Sequence, residues 1–428
     1  MTNAENGHGP GDMRFALPHR PRLRALDVQP VTHEDENFML FHDREGVAPD
    51  TGLSVDFEPL LRLLDGRRTP AEISAAYAAA GGENLPEAWL TNFLEQLDGA
   101  LLLESDRYET AAHERLDPLL NDPVHAAAFA GRAYPGEPAA LRCDLNGYIT
   151  GARQLLDAAK PLPSAGSIRG CIVPHIDFRR GGIVEALAYE GLQNERFDTL
   201  VILGIAHAGV RYPFSLLAQD FETPLGTAAC DRAFCAALQG RLDERLTAEP
   251  YAHRKEHSLE FVAVFAQHCQ NLCGAKIVPI ICGGFFSELA NRTSPAGNAD
   301  VAAFAAALRQ TSDEWAETGQ RVGVICSVDG AHVGSNFGDD TPLSPARLAN
   351  IREADLAAWR AVEAGDREAF HAELARDNNA RHVDAHPAVY TTLLAFPEWR
   401  AHLLHYDQAY SERENSVVSF AALALYEN

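Results

Sequence analysis

Asp198-Thr199-Leu200-Val201-Ile202-Leu203-Gly204-Ile205-Ala206-His207 decides the fold. An unbroken apolar run of this kind cannot alternate between core and water. It reads as a strand buried on both faces, which requires helices above and below its sheet. Ser167–Val173, Lys276–Cys282 and Arg321–Ser327 repeat the pattern. Between these runs, Gly182–Gln193, Ala229–Leu238, Ser258–His268 and Ala299–Leu308 place apolar residues at helical spacing. His402–Tyr410 and Val417–Leu425 are expected to finish the sheet at one side. The expected fold over residues 119–428 is therefore α/β: a mixed, largely parallel central sheet flanked by helices, with its ligand site beyond the carboxyl ends of the strands.

Upstream the pattern changes. Residues 1–14 are polar and Gly-rich and read as a flexible tail, followed by a small α+β domain over residues 15–118. Val55–Leu64, Thr69–Ala79 and Pro86–Leu97 have helical spacing, and Thr69-Pro70-Ala71-Glu72 supplies an N-cap, a proline at the first helical position and an early Glu. With Leu101–Glu104 as a short strand, this predicts a winged-helix-like module. Such modules often grip DNA, but residues 1–120 hold 10 Arg and no Lys against 22 Asp and Glu. The whole chain carries a formal charge of −24, which repels a phosphate backbone and argues against a nucleic-acid partner.

No run reaches the roughly 18 apolar residues of a membrane helix, and Met1–Arg14 lacks an apolar signal core. A cytoplasmic protein without a membrane contact is expected. Eight cysteines occur with no C-x-x-C pair, so disulfides are not expected, and Cys171, Cys282 and Cys326 read as small hydrophobes inside strands.

Three predicted strands each run into a histidine: Val173-Pro174-His175-Ile176-Asp177, Leu203 through His207, and Cys326-Ser327-Val328-Asp329-Gly330-Ala331-His332. Carboxyl ends of neighbouring strands converge on one crevice, so His175, His207 and His332 are candidate ligands of one metal ion. Imidazoles with a carboxylate such as Asp329 and an open position suit oxygen-activating Fe(II), while Cu and Zn also accept such donors. Glu256-His257-Ser258-Leu259-Glu260 opens a helix; Glu256 or His257 is a candidate acid–base group or support for a ligating imidazole, with a capped helix as the plain alternative. Asp177, Asp231 and Glu260 are candidates for hydrogen bonds that support the ligands.

On these residues the larger domain resembles the Memo family, also called AmmeMemoRadiSam system protein B. The matching order is Pro174-His175, Leu203-Gly204 with His207, Thr223-Pro224-Leu225 with Asp231, Glu256 to Glu260, Ile277-Val278-Pro279-Ile280, Ser327 with Asp329 and His332, and Ser416 to Ala422. The resemblance implies a fold like that of class III extradiol dioxygenases, iron or copper binding, redox chemistry and a radical-SAM system partner. It places the first two metal histidines on His175 and His207, and the later Asp and His on Asp329 and His332. The family's cysteine falls on Val383, so a thiolate is missing; this favours Fe(II) or Zn(II) over Cu(I) and makes His382, Asp384 and His386 candidates to complete the shell.

Leu60 to Ile73 resembles PqqD-like peptide-chaperone domains, which implies a peptide or protein substrate delivered by the N-terminal domain. Such a fusion departs from simple family members, which resemble the larger domain alone. Two functions follow: a metal-dependent oxidoreductase, or a non-catalytic adaptor whose crevice binds a peptide. A hydrolase is disfavoured, because no G-x-S-x-G elbow occurs.

Overall fold

The structure, a computed structural model, describes residues 15–427 apart from 25, 34, 35, 44, 159–166, 211 and 243–248. The predicted tail over residues 1–14 lies outside the described residues. The chain divides into two compact units, Met1–Asn121 and Asp122–Asn428.

In the first unit, β1 (Asp27–His33), β2 (Glu36–His42) and β3 (Thr51–Ser54) form an antiparallel sheet, followed by α1 (Glu58–Leu61), α2 (Pro70–Ala79), α3 (Glu87–Gly99) and α4 (Asp106–Asn121). The Thr69 signature forms a full capping box: Thr69 Oγ1 accepts from Glu72 N–H, and Glu72 accepts from Thr69 N–H at 2.8 Å. Phe41, Leu60, Leu61, Leu64, Ile73, Leu90, Leu94 and Leu97 bury one core. Two expectations change. The helix expected over Val55–Leu64 is a 3₁₀ turn followed by one α turn. Leu101–Glu104 forms only a single bridge, Leu23 to Leu103, because Leu101 has φ +60° and breaks the extended chain; the unit's sheet precedes its helices.

The second unit runs β4 (Val124–His125), α5 (Pro138–Ala158), β5 (Ser167–Val173), α6 (Phe178–Glu190), β6 (Thr199–Ile205), β7 (Phe214–Leu216), β8 (Asp220–Thr223), β9 (Gly226–Ala228), α7 (Arg232–Gln239), α8 (Pro250–His253), α9 (His257–His268) and β10 (Lys276–Cys282). It continues through α10 (Phe286–Asn291), α11 (Ala299–Glu317), β11 (Val322–Ser327), β12 (His332–Gly334), α12 (Pro345–Glu363), α13 (Arg367–Ala375), α14 (His386–Ala395), β13 (Trp399–Ser411) and β14 (Ser416–Glu427). The main sheet is mixed, in the order β12-β14-β5-β11-β6-β10-β7, with β13 on β14. Its centre, β5-β11-β6-β10, is parallel, and the strands on both sides are antiparallel.

Both faces are covered, which explains the apolar runs. On β6, Val201 and Leu203 join the core formed with α7, α11 and α14, whereas Leu200 and Ile202 join the core formed with α6 and α9. Because β5, β11 and β6 are parallel neighbours, Val173, Ser327 and Ile205 end side by side at one edge of the sheet. The functional residues follow directly after these ends.

The edge of this site depends on a tight backbone contact. Gly334 ends β12 at φ +112°, where a side-chain carbon would lie 2.0 Å from Asn415 O and 2.8 Å from Ser416 Cα. Gly334→Ala is expected to destabilise the protein by about 2 to 4 kcal/mol, from strain plus backbone displacement, read as a lower midpoint in urea unfolding.

Candidate metal centre

His175, His207 and His332 are each fixed by an oxygen on Nδ1. His175 Nδ1 lies 2.9 Å from the carbonyl of Ser327, and a carbonyl only accepts, so Nδ1 carries a proton and Nε2 is the nitrogen turned towards the cluster. His332 Nδ1 does the same with Gly330 O at 3.2 Å and His382 O at 3.1 Å. His207 Nδ1 rests on the Glu256 carboxylate at 3.0 and 3.1 Å. This is the tautomer a metal ligand needs, set from behind by a partner that orients the ring.

Glu256 does more than hold one ring. As N-cap of α9 it accepts from Ser258 N–H at 2.9 Å, and it also accepts from His207 N–H at 3.0 Å. Ser258 Oγ accepts from Ile205 N–H at 3.0 Å and sits where a side-chain carbon on Gly204 would come within 2.4 Å of it. The Leu203-Gly204 and Glu256-His257-Ser258 motifs are thus one contact: a glycine lets the first turn of α9 press against the end of β6. Burial would raise the Glu256 pKa, but the His207 hydrogen bond and the nearby imidazoles outweigh it and hold the carboxyl at about 2.

The closest metal-capable set among the described residues is His175, His207 and His257, whose ligand atoms all lie within 4.8 Å of one another. Ring centroids stand 5.0 Å apart for His175 with either partner and 4.5 Å for His207 with His257. His332 joins through Asp384, with its Nε2 3.9 Å from Asp384 Oδ2. His175 Nε2 and Asp384 Oδ2 are both buried and pair with each other at 3.2 Å, with Asp329 Oδ2 3.8 Å from the same nitrogen. A buried imidazole and carboxylate set face to face, with His207 and His257 beside them, offer the nitrogen and oxygen atoms that a divalent cation takes, so the residues fit one.

Asp384 is the carboxylate that faces the histidines. Its Oδ1 accepts from Asp329 N–H at 2.7 Å, while Asp329 Oδ1 accepts from His175 N–H at 3.1 Å. Val383, where the resemblance led us to expect the family's cysteine, is buried in the apolar core. The other shell candidates turn elsewhere. His382 is exposed at φ +51° and contributes only its carbonyl. His386 faces His371, Nε2 to Nδ1 at 3.0 Å, beside Phe285.

Charge sharing follows burial and proximity. Burial lowers the His175 pKa, but Asp329 and Asp384 outweigh it and push it up to about 10. Burial raises Asp384, yet the surrounding imidazoles bring it below the usual carboxylate range, while burial keeps Asp329 raised. His257 is lowered to about 3 by burial and by His175.

A profile of Memo-like proteins matches residues 125–424, which is most of the chain. The chain belongs to the Memo family. A MEMO1 family protein of Aquifex aeolicus is 26% identical over 416 residues, covering 95% of this chain and 100% of its own length. Relatives of the same name from Thermus thermophilus and Pyrococcus furiosus are 26% and 27% identical, each over 71% of this chain and over 82% and 99% of their own. The Aquifex alignment leaves too few residues unmatched to omit the first unit, whereas 71% of this chain covers 99% of the Pyrococcus relative.

Of the three candidate supports, Asp177 and Asp231 serve other parts of the fold and Glu260 serves the wall of the site. Asp177 caps α6, accepting from Arg179 N–H at 2.9 Å. Asp231 caps α7 and accepts from Thr199 Oγ1 at 2.6 Å; Thr199 begins β6, so Asp231 stands at the far end of the strand from His207. Glu260 accepts from Ala128 and Phe129 N–H at 2.8 and 2.9 Å and from the Tyr134 hydroxyl. It thereby holds Phe129 edge-on to His257 at 5.7 Å, a wall that no sequence motif signals. Phe337 plays the same part beside His332 at 5.1 Å. Ser419, within the Ser416 to Ala422 motif, accepts from Ala331 N–H at 2.7 Å and donates to buried Asp355 at 2.6 Å, pinning the loop between Asp329 and His332.

Two outcomes test this geometry. Glu256→Gln turns an amide N–H towards donors that need an acceptor, so metal affinity is expected to fall about 10- to 100-fold in calorimetric titration. At pH 7.5, below a pKa of about 10, His175 carries a proton that a metal must displace. Binding is therefore expected to release about one proton, seen as a dependence of the calorimetric heat on buffer ionisation, and to tighten as pH rises towards that value.

Proposed function

We propose that this Memo protein is a metal-dependent redox enzyme that uses a non-haem metal, Fe(II) before copper or zinc, on a small aromatic or peptide-borne substrate. The reading is carried by one observation: His175, His207 and His332 each have Nδ1 engaged by an oxygen, which leaves Nε2 as the nitrogen that would ligate. Only imidazoles and carboxylates face the centre in this reading, which is why hard or borderline cations are favoured over Cu(I). When bound, the metal supplies an open coordination position at which an oxygen ligand is polarised and electrons are exchanged.

The protein's own groups then have defined tasks. Ser327 O, Glu256 and the Gly330 and His382 carbonyls stop the three rings from turning, so no reorganisation accompanies ligation. Asp329, raised by burial, can hold a proton at Oδ2 within 3.8 Å of His175 Nε2, and serves as local acid–base group. Phe129 and Phe337 keep water from the faces of His257 and His332 and offer ring edges to an aromatic substrate. The proposal includes a peptide or protein substrate held by the N-terminal unit and a radical-SAM system partner, both of which rest on resemblance.

The test is elemental analysis of untagged protein purified without oxygen, beside His175→Ala, followed by oxygen uptake of the Fe(II)-loaded protein with a catechol probe. Iron retained in the parent and lost in the variant, with catechol-dependent uptake, is the expected result. Metal-free protein that binds Fe(II), Cu and Zn no better than the variant overturns the reading. Saturable peptide binding with no oxygen uptake supports the adaptor function instead.

A further inference from the structure

Cys230 and Cys235 bring their sulfurs to 3.6 Å, the only thiols in contact with each other among the described residues. Both are buried, Cys230 at 5% exposure and Cys235 at 0%. Cys230 stands just before Asp231, the N-cap of α7, and Cys235 lies one turn into the helix. At these two positions a helix start packs one apolar side chain on another, and a leucine or valine would fill either. Two thiols there add a chemistry that packing does not require. By contrast Cys326 meets Thr392 Oγ1 at 3.1 Å, and Cys171 and Cys282 lie inside β5 and β10.

We propose that Cys230 and Cys235 form a redox-modifiable dithiol, which a hydroperoxide converts to an intramolecular disulfide. The pair lies at the Thr199 end of β6, the end opposite His207, and the inference is independent of the metal reading.

The backbone holds the two sulfurs face to face. Cys230 N–H donates to Asp220 Oδ1 at 2.8 Å, and Asp231 N–H donates to Ile277 O at 2.8 Å. Cys235 N–H donates to Asp231 O at 2.9 Å, while the Asp231 carboxylate accepts from Phe234 N–H and Thr199 Oγ1. A disulfide has an S–S bond of about 2.05 Å, so the sulfurs must close by roughly 1.5 Å. Rotation about the two Cα–Cβ bonds supplies movement of that size.

The order of reaction follows from the surroundings. Cys230 is the less buried thiol, and the half-exposed Arg232 guanidinium, 2.7 Å from Asp220 Oδ1, acts electrostatically on both sulfurs. A nearby cation favours the thiolate, the form that attacks a peroxide. The hydrogen bond with Cys230 and burial push the Cys235 thiol up, which keeps it protonated until its partner is oxidised. In the first step the Cys230 sulfur takes the outer oxygen of the hydroperoxide: an S–O bond forms, the O–O bond breaks, and an alcohol leaves with the thiol proton. In the second, Cys235 attacks the sulfenic acid: the S–S bond forms, the S–O bond breaks, and water leaves with the Cys235 proton. The two thiols give up two electrons, and the peroxide gains them.

The test uses the full chain, reduced, stripped of metal with a chelator and desalted under argon. It is treated with tert-butyl hydroperoxide until the exposed Cys143 and Cys273 are fully oxidised, then denatured in iodoacetamide and digested with trypsin. Trypsin cuts at Arg232, so the peptide ending there carries Cys230 alone and Ala233–Arg241 carries Cys235 alone. The expected product is these two peptides joined, two hydrogens lighter than their sum and separated by reductant, from chains that keep the near-ultraviolet circular dichroism of the reduced protein. In Cys230→Ser the joined species should vanish and Cys235 should be recovered alkylated, whereas in Cys235→Ser the oxidation of Cys230 should run on to sulfinic acid.

A parent whose Cys230 and Cys235 are both recovered alkylated overturns the proposal. So does Cys230 found as sulfinic acid with no link, or a link confined to chains that have lost the native spectrum. The parent's own peptides decide, so the outcome stands even where a substituted chain fails to fold.

Discussion

The first turn of α9 pressed against the end of β6 is the contact on which the centre depends. Gly204 provides the room, Ser258 fills it and takes the Ile205 amide, and Glu256 closes the turn while it holds both the backbone and the ring of His207. A carboxylate that accepts three donors inside the protein leaves a single arrangement of the strand end, the helix start and the imidazole. The same turn places His257 in the cluster and, one turn on, Glu260 under the loop that carries Phe129. Helix, strand end and wall are therefore set together.

Around this contact the sheet supplies alignment. Parallel neighbours β5, β11 and β6 bring three strand ends level, and the crevice takes one histidine from each of two of them and two carboxylates from the loops around β11 and α14. β14 then acts as a backstop: Ser419 fixes the loop before His332 and is itself fixed by Asp355, which also holds Tyr406 and Arg381. The candidate ion site is over-determined from behind, because its rings and carboxylates are each held by a contact outside the cluster.

Most of this fold is legible in the residues, because strands buried on both faces must be apolar without interruption, and Ser167–Val173 and Lys276–Cys282 fall where that pattern puts them. The site is legible to the extent that it lies at strand ends, which locates His175, His207 and Asp329. It is not legible where the answer depends on which way a loop turns. Val383 and Asp384 differ by one position, and only the backbone between Arg381 and His386 decides that the valine enters the core and the carboxylate faces the imidazoles. Asp231 shows the reverse error of sequence proximity: it follows a motif of the family but stands at the opposite end of β6. In sequence His257 reads as a proton-handling or orienting group, since nothing in its spacing reveals that the helix start brings its ring within 4.5 Å of His207.

The carboxylate of Asp384 has a consequence for durability. A thiolate at a centre that meets oxygen or peroxide climbs through sulfenic to sulfinic acid, and each step alters the ligand and disables the site. Oxygen donors have no such ladder. With Asp384 beside His175, and with Cys171, Cys282 and Cys326 buried and held as thiols by their apolar surroundings, a metal held here would have no thiolate ligand to lose.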